Sequence, residues 1–269
     1  MSKIIDYYNR FDEWGRLERE PIEFEVNWHF IKKHIPDTGV ILDNGAGPGK
    51  YSMRLANEGY KVTLTDLTPK LVEIAKNKAV ELNVIDQFNG FFVEDARELH
   101  HLENEKFDAS LMLGPMYHLQ AENDRVKAIN ELYRVTKKDG IVFVAYMSRI
   151  RHIMNSLSNP ENWKPNNSMD QINEFSKTGC FDHSDEGRFT GAYYYEIEEI
   201  KEFMESNGFE TMELIGSNMA AFLSNENWQY WTDKGETEVN KLINLLIERA
   251  NDPYILGMSS HLLYIGRRK

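Results

Sequence analysis

The sequence predicts an α/β protein, a doubly wound and mostly parallel seven-stranded sheet that carries helical cap insertions. Three observations lead there. Short apolar runs alternate with amphipathic segments of about 10–15 residues, the rhythm of a parallel sheet with helices on both faces. A glycine-rich turn follows the first run directly, in Val40-Ile41-Leu42-Asp43-Asn44-Gly45-Ala46-Gly47-Pro48-Gly49. The rhythm breaks only after the fifth run, first over 147–192 and again over 216–252.

Two helical segments come first, over 4–14 and 22–34, with aromatic and aliphatic residues at mixed helical spacing. Pro36-Asp37-Thr38-Gly39 is a turn. Strand one covers 40–43, and a helix over 50–58 stops at Gly59. Strand two covers 61–65 and ends at Asp66. The helix over 69–82 puts Leu71, Ile74, Ala75, Ala79 and Leu82 on one side, with Thr68-Pro69 as N-cap and first-turn proline. Strands three and four cover 90–93 and 107–113, and end at Glu94-Asp95 and Gly114-Pro115. A helix over 122–136, the turn Lys138-Asp139-Gly140 and strand five over 141–146 follow. The segment 147–192 is polar with scattered aromatics, too long to be structureless, so it is expected to hold some helix of its own. A helix over 196–206, a strand over 209–215, an amphipathic stretch over 236–250 and a last strand over 259–265 complete the chain. The connection into the last strand need not cross over.

This divides the chain into an N-terminal helical cap (1–36), a cofactor-binding core (37–147), a cap insertion (148–192) and a C-terminal part of the core (193–269) with a second insertion at 216–252. Ligands of open α/β sheets bind outside the carboxyl ends of the strands, where insertions that follow strands can cover them.

Composition narrows the function. At 269 residues, 41% hydrophobic and 12% aromatic, the chain can build a sizeable core. No apolar run approaches the roughly 20 residues of a membrane span, and the N-terminus lacks the apolar stretch of a secretory signal. A single cysteine, Cys180, excludes an internal disulfide and fits a reducing cytoplasm. A formal charge of −12 weighs against an extended nucleic-acid surface, since phosphate contacts need clustered Lys and Arg. The sequence leaves the oligomeric state open.

The glycine turn carries the chemistry. Gly45, Gly47 and Gly49 let the backbone turn tightly and let a ligand approach the main chain. The amide donors of the following helix point into the same loop. The dinucleotide fingerprint wants G-x-G-x-x-G, but the third glycine comes one residue early; no G-K-[ST] follows, so this is not a P-loop. A variant dinucleotide binder and a plain strand–helix turn are the alternatives.

An acidic residue two positions before G-x-G-x-G resembles motif I of the class I S-adenosylmethionine-dependent methyltransferases. A carboxylate there suits a cofactor with an ammonium and a sulfonium but no phosphates. The resemblance covers roughly two-fifths of the chain, Ile41 to Tyr146. It implies a Rossmann-like sheet with the last strand antiparallel, and S-adenosylmethionine as cofactor. Asp66, 17 residues after Gly49, is placed to accept the ribose hydroxyls, or else caps the next helix. In the family, the position of Asp95 accepts the adenine amino group and the amide after it, here that of Ala96, meets a ring nitrogen; Glu94 could substitute. Leu113-Gly114-Pro115 sits where the family places the loop beneath the transferable methyl. The expected cofactor-binding set is Asp43, Gly45, Ala46, Gly47, Gly49, Asp66, Leu67, Asp95, Ala96, Arg97, Leu113 and Gly114.

The acceptor side is less specific. Gly114-Pro115-Met116-Tyr117 lacks the amide or carboxylate of nucleic-acid amino-group methylators, and Cys180 is misplaced for a cytosine C5 nucleophile. The metal ligand of catechol-type enzymes is missing too. Tyr117 and His118 are the candidates to touch substrate, with His118 as general base. Tyr7, Tyr8 and Arg16 belong to the cap, and Arg16 could pair with a carboxylate. Asp182, His183, Asp185 and Glu186 cluster without metal-ligand spacing and read as a solvated acidic loop. Tyr193-Tyr194-Tyr195 either lines a pocket or anchors the helix after it. The expectation is a methyltransferase acting on a small molecule, with an RNA or protein methyltransferase, or a non-catalytic cofactor-binding regulatory protein, as alternatives.

Overall fold

The computed structural model describes residues 2–15, 21–218 and 225–269, so Arg16 lies outside the described residues. Helices α1 (Ser2–Arg10) and α2 (Pro21–His34) precede the sheet. The first is shorter than its pattern suggests because Asp12 Oδ1 accepts from Gly15 N at 3.0 Å and starts a separate turn. Then follow β1 (Val40–Asn44), α3 (Lys50–Asn57), β2 (Lys61–Asp66), α4 (Pro69–Glu81), β3 (Phe88–Val93), β4 (Phe107–Met112), α5 (Glu122–Val135) and β5 (Thr136–Met147).

The seven strands lie in the order β3-β2-β1-β4-β5-β9-β8, where β8 is Phe209–Gly216 and β9 is His261–Arg268. Pairings from β3 through β5 are parallel, and β9 runs antiparallel to both β5 and β8. The central strands β1, β2 and β4 are almost wholly buried because helices cover both faces. Ile41, Val62, Leu64, Ala109 and Phe143 pack under α2, α3 and α4. Met112, Val142, Val144 and Tyr264 face Ile129 and Leu132 of α5 and Ile200 of α8 (Ile197–Ser206).

β3 begins two residues earlier than expected, at Phe88, and two strands depart further from the sequence pattern. The Lys138-Asp139-Gly140 turn does not precede β5 but bulges from within it: Phe107 pairs with Thr136 and Ala109 with Ile141, and Asp139 takes φ +62°. The last strand starts two residues late and extends through the basic tail, since the arginines find partners. Arg267 pairs across the sheet with Glu210, and Arg268 donates to Thr136 O and Glu105.

The segment 148–192 contains α6 (Arg149–Ser158), α7 (Met169–Thr178) and a ribbon of β6 (Cys180–Phe181) with β7 (Ala192–Tyr193). Its scattered aromatics close on His152, whose ring lies 4.3–4.9 Å from those of Tyr194, Phe181, Phe175 and Trp163. Burial pushes His152 down to about 3, so it is a neutral core residue. The segment 216–252 holds α9 (Asn225–Asp233) and α10 (Glu236–Arg249), and α11 (Pro253–Met258) begins at an Asp252 N-cap.

Candidate active site

The glycine turn at the end of β1 is held by β2. Gly45 N and Ala46 N both donate to Thr65 O, at 2.8 and 3.0 Å. Gly45 has φ +71°, and a Cβ there would lie 2.4 Å from Pro115 Cγ, so the loop after β4 closes on a bare backbone. Gly49 has φ +82°, and its Cβ would meet Leu64 Cδ1 at 2.8 Å, which lets α3 begin tight against β2. The space above Gly47 is open; its nearest neighbour is Glu13 Cγ at 3.7 Å.

That space belongs to a cavity of about 600 Å³ at the carboxyl edge of the sheet. Among the residues the sequence singled out for the cofactor and the acceptor, Gly49 lies behind its wall; Asp43, Gly45, Ala46, Gly47, Asp66, Leu67, Asp95, Ala96, Arg97, Leu113, Gly114, Tyr117 and His118 line it. Ile4 and Tyr8 of α1 line it from above, and Asp182, Thr190 and Gly191 bring in the first insertion.

Two buried carboxylates dominate its floor. Asp43 is 2% exposed, and its Oδ2 accepts from Ser52 Oγ at 2.6 Å. Burial raises it to about 6; Ser52 works against that rise, and Asp66 adds to it. Asp66 accepts from Gly47 N through Oδ2 and from Thr68 N through Oδ1, each at 2.8 Å. It therefore braces the glycine loop and the start of α4 together, and burial raises it also. Neither is ion-paired among the described residues. A carboxylate pair in that state favours a positively charged ligand.

At the end of β3 the acidic neighbours divide their work. Arg97 donates to Asp95 through Nε at 2.9 Å and Nη2 at 2.6 Å, and reaches Asp124 through Nη1 at 2.7 Å. Those contacts outweigh the opposing burial and hold Asp95 below the usual carboxylate range. Glu94 Oε1 accepts from His101 N at 2.8 Å and faces His101 Nδ1 at 2.5 Å, whereas Glu94 Oε2 is buried with no hydrogen-bond partner. The acceptor left without a hydrogen bond at this end is Glu94 Oε2; Asp95, the acceptor expected from the sequence, also lines the cavity but is engaged by Arg97.

Tyr117 and His118 lie in the short turn Pro115–His118 after β4. Tyr117 Oη donates to Leu113 O at 3.1 Å. His118 Nε2 lies 2.8 Å from Tyr8 Oη, and Nδ1 is buried without a partner. Burial lowers His118 to about 4, partly offset by the backbone of Gly191 and Thr190, so the ring is neutral at pH 7 and a weak base. Of the other sequence candidates, His183 binds backbone, with Nε2 3.1 Å from Asn162 O and Nδ1 accepting from Asp185 N. Tyr194 and Tyr195 are buried. Tyr193 stacks on Arg125, whose guanidinium carbon lies 3.7 Å from the ring centre. The three tyrosines pack the core and α8 and do not line the cavity.

Sequence reasoning missed Glu23 and Asn27, which line the cavity from α2. Both are buried, at 8% and 2% exposure, one turn apart on a helix whose exposed side carries His29, Lys32 and Lys33, and nothing in the sequence separates these two polar residues from those. Lys50, also on the wall, has its Nζ 5.4 Å from the Phe24 ring centre and 5.7 Å from that of Trp14.

Residues 41–140 match the family described as "Methyltransferase domain". That match, on a sheet of this order, supports a class I S-adenosylmethionine-dependent methyltransferase domain. It is similar to a glycine/sarcosine N-methyltransferase of Parasynechococcus marenigrum, 32% identical over 49% of this chain and 47% of that one. It also resembles a tRNA (carboxymethyluridine(34)-5-O)-methyltransferase of Arabidopsis thaliana, 34% identical over 41% of this chain and 24% of that one. The chain spans about half the length of the first curated relatives it matches. The crystal structure of a methyltransferase from Thermotoga maritima shares the fold over the full length of both chains, with a TM-score of 0.59 at 17% identity.

The polar atoms around the glycine turn fit the cofactor of that domain family. Glycine backbone lies open at Gly47, Asp43 and Asp66 offer acceptors, and Glu94 Oε2 and Asn44 Nδ2 are buried without partners. No described helix is long and apolar enough to cross a membrane.

Proposed function

We propose that this methyltransferase carries the methyl group of S-adenosylmethionine to a small-molecule acceptor by in-line displacement. The observation that carries the reading is the cavity of about 600 Å³, walled by α1, α2 and the 182–191 loop over the glycine turn. That size falls within the ~300–1,000 Å³ of sites for single small molecules. The formal charge of −12 also speaks against an extended RNA surface. The RNA reading rests on the tRNA enzyme among the relatives; the acceptor of that protein is not carried over to this chain. In this reading residues 1–36 and 148–192 act as the cap, and the exposed single thiol of Cys180 suits a reducing cytoplasm.

The cofactor supplies an activated methyl on a sulfonium, and the protein supplies position and a dry environment. Asp43 and the loop Gly45–Gly47 would hold the aminoacyl end, Lys50 facing its carboxylate. Asp66 would accept from the ribose. Glu94, with the backbone at Ala96 and Arg97, would take the adenine, next to Leu67. Leu113 and Gly114 would lie beneath the methyl, and Tyr117 and His118 beside the acceptor. No covalent intermediate on the protein is required.

Titration calorimetry with S-adenosylhomocysteine tests the cofactor half, and transfer of a labelled methyl into the low-molecular-mass fraction of a cell extract tests the acceptor half. Label appearing only in RNA or protein would overturn the small-molecule reading. Asp66→Ala is expected to weaken S-adenosylhomocysteine by about 1–3 kcal/mol, the cost of a lost buried acceptor. An unchanged affinity would remove Asp66 from the site.

A further inference from the structure

The cavity is more acidic than its cofactor requires. Among the described residues, eight Asp and Glu side chains line it against two cations, Lys50 and Arg97, and Arg97 is committed to Asp95 and Asp124. The segments 16–20 and 219–224, outside the described residues, carry two arginines and two glutamates between them and add no net charge. S-adenosylmethionine offsets little of this, since its carboxylate cancels one of its two positive groups. The negative charge that remains falls to the acceptor.

Glu23 and Asn27 of α2 show where. Glu23 Oε2 lies 2.9 Å from His261 Nδ1 and accepts from Asn218 Nδ2 at 3.3 Å. The His261 ring in turn stacks on Tyr117, with centres 5.9 Å apart. These contacts fix the buried Glu23 carboxylate on the side of the turn after β4. One helical turn further on, Asn27 is 2% exposed; its Nδ2 donates to Tyr51 Oη at 3.1 Å, and its Oδ1 is buried without a partner. Glu23, Asn27 and Tyr51 all line the cavity, so α2 presents it with a carboxylate and an unmet amide oxygen. Both are acceptors, and an ammonium is a donor with no acceptor of its own.

Aromatic rings complete this end. Tyr8, Tyr117 and His118 line the cavity too. The Tyr8 and His118 rings meet at 82° with centres 5.4 Å apart, and those of Tyr117 and His118 at 57° and 5.1 Å. Rings at such angles form a corner rather than a stack, and π faces attract cations. His118 is neutral at pH 7 and adds no opposing charge.

We propose that this end of the cavity selects a methyl acceptor that is a small organic cation, its ammonium group held by Glu23 and Asn27 against the rings of Tyr8 and Tyr117. A neighbouring carboxylate keeps an ammonium protonated. A protonated nitrogen has no lone pair to offer the methyl carbon, so the ammonium is the handle of the acceptor and the methyl goes to another atom of the same molecule. This class of acceptor rests on the small-molecule methyltransferase reading and narrows it.

Fractionation of the acceptor pool tests it. The low-molecular-mass part of a cell extract is passed over a cation exchanger at pH 7, and the retained and unretained fractions are each offered to the wild type with methyl-labelled S-adenosylmethionine. Label is expected from the retained fraction, in a product whose tandem mass spectrum puts the new methyl away from the charged nitrogen. Glu23→Gln should raise the half-saturating amount of that fraction about 30-fold, and Asn27→Leu about tenfold, with S-adenosylhomocysteine affinity by calorimetry within about threefold of wild type in both. Label formed from the unretained fraction, a half-saturating amount indifferent to Glu23→Gln, or a new methyl on the charged nitrogen would each overturn the proposal. Should Glu23→Gln lose its fold by circular dichroism, the wild-type fractionation and Asn27→Leu decide. A wild type that binds S-adenosylhomocysteine but labels only RNA or protein defeats the small-molecule reading and the cationic class with it, whereas low-mass label from the unretained fraction defeats the class alone.

Discussion

Gly45→Ala is expected to cost about 2–5 kcal/mol and to weaken S-adenosylhomocysteine at least 100-fold. Two effects add. A residue with a Cβ at φ +71° leaves the region open to L side chains, at about 1–2 kcal/mol. The new methyl would sit 2.4 Å from Pro115 Cγ, an overlap that forces the loop after β4 away from the turn, at about 1–3 kcal/mol. The displaced loop carries Leu113, Gly114 and Tyr117, so the stability loss and the binding loss share one origin. Thermal melts and titration calorimetry on the same sample read both. A variant that melts like wild type and binds like wild type would mean that Pro115 does not abut Gly45 in solution.

Asp43→Asn is expected to act in opposite directions on stability and on binding. Burial raises Asp43 from 3.8 to about 6, so the folded chain holds that proton more tightly than the unfolded one. The resulting stability is complete below pH 3.8 and is lost as pH rises towards about 6. At pH 8 the ionised side chain then destabilises the ligand-free fold by up to about 3 kcal/mol, at roughly 1.4 kcal/mol for each pKa unit. The Asn variant removes that burden, less whatever the Ser52 hydrogen bond was contributing. Urea unfolding should show it roughly 1–2 kcal/mol more stable than wild type at pH 8 and no more stable at pH 3.5. Its affinity for S-adenosylhomocysteine should fall about 100-fold, because a buried anion no longer meets the ligand's ammonium. A variant less stable than wild type at pH 8 would show that the carboxylate is already compensated within the protein.

How much of this was legible follows from how local each signal is. The sheet was readable because short strands rich in apolar residues alternate with amphipathic helices, each strand ending at a functional residue: Asp43, Asp66, Glu94-Asp95, Leu113-Gly114. The Asp252-Pro253 pair that starts α11 was equally local, yet masked by the polar stretch around it. The small aromatic core around His152 was not readable, since its rings come from two helices, a short strand and the loops beside them, with no common period. Within the site, the backbone-bound half was legible in residue type and spacing. The division of labour between Glu94 and Asp95 was not, because it depends on where Arg97 and His101 point. Nor was the Glu23–His261 contact, which joins positions 238 residues apart.

The central claim is that the turn after Asp43 receives an aminoacyl sulfur nucleoside, and calorimetry of the purified chain with S-adenosylhomocysteine at pH 7.5 and pH 5 tests it most directly. One molecule is expected per chain, bound about tenfold more weakly at pH 5, where Asp43 takes up its proton. No binding heat at either pH, or saturable binding of a reduced nicotinamide dinucleotide in its place, would contradict the account.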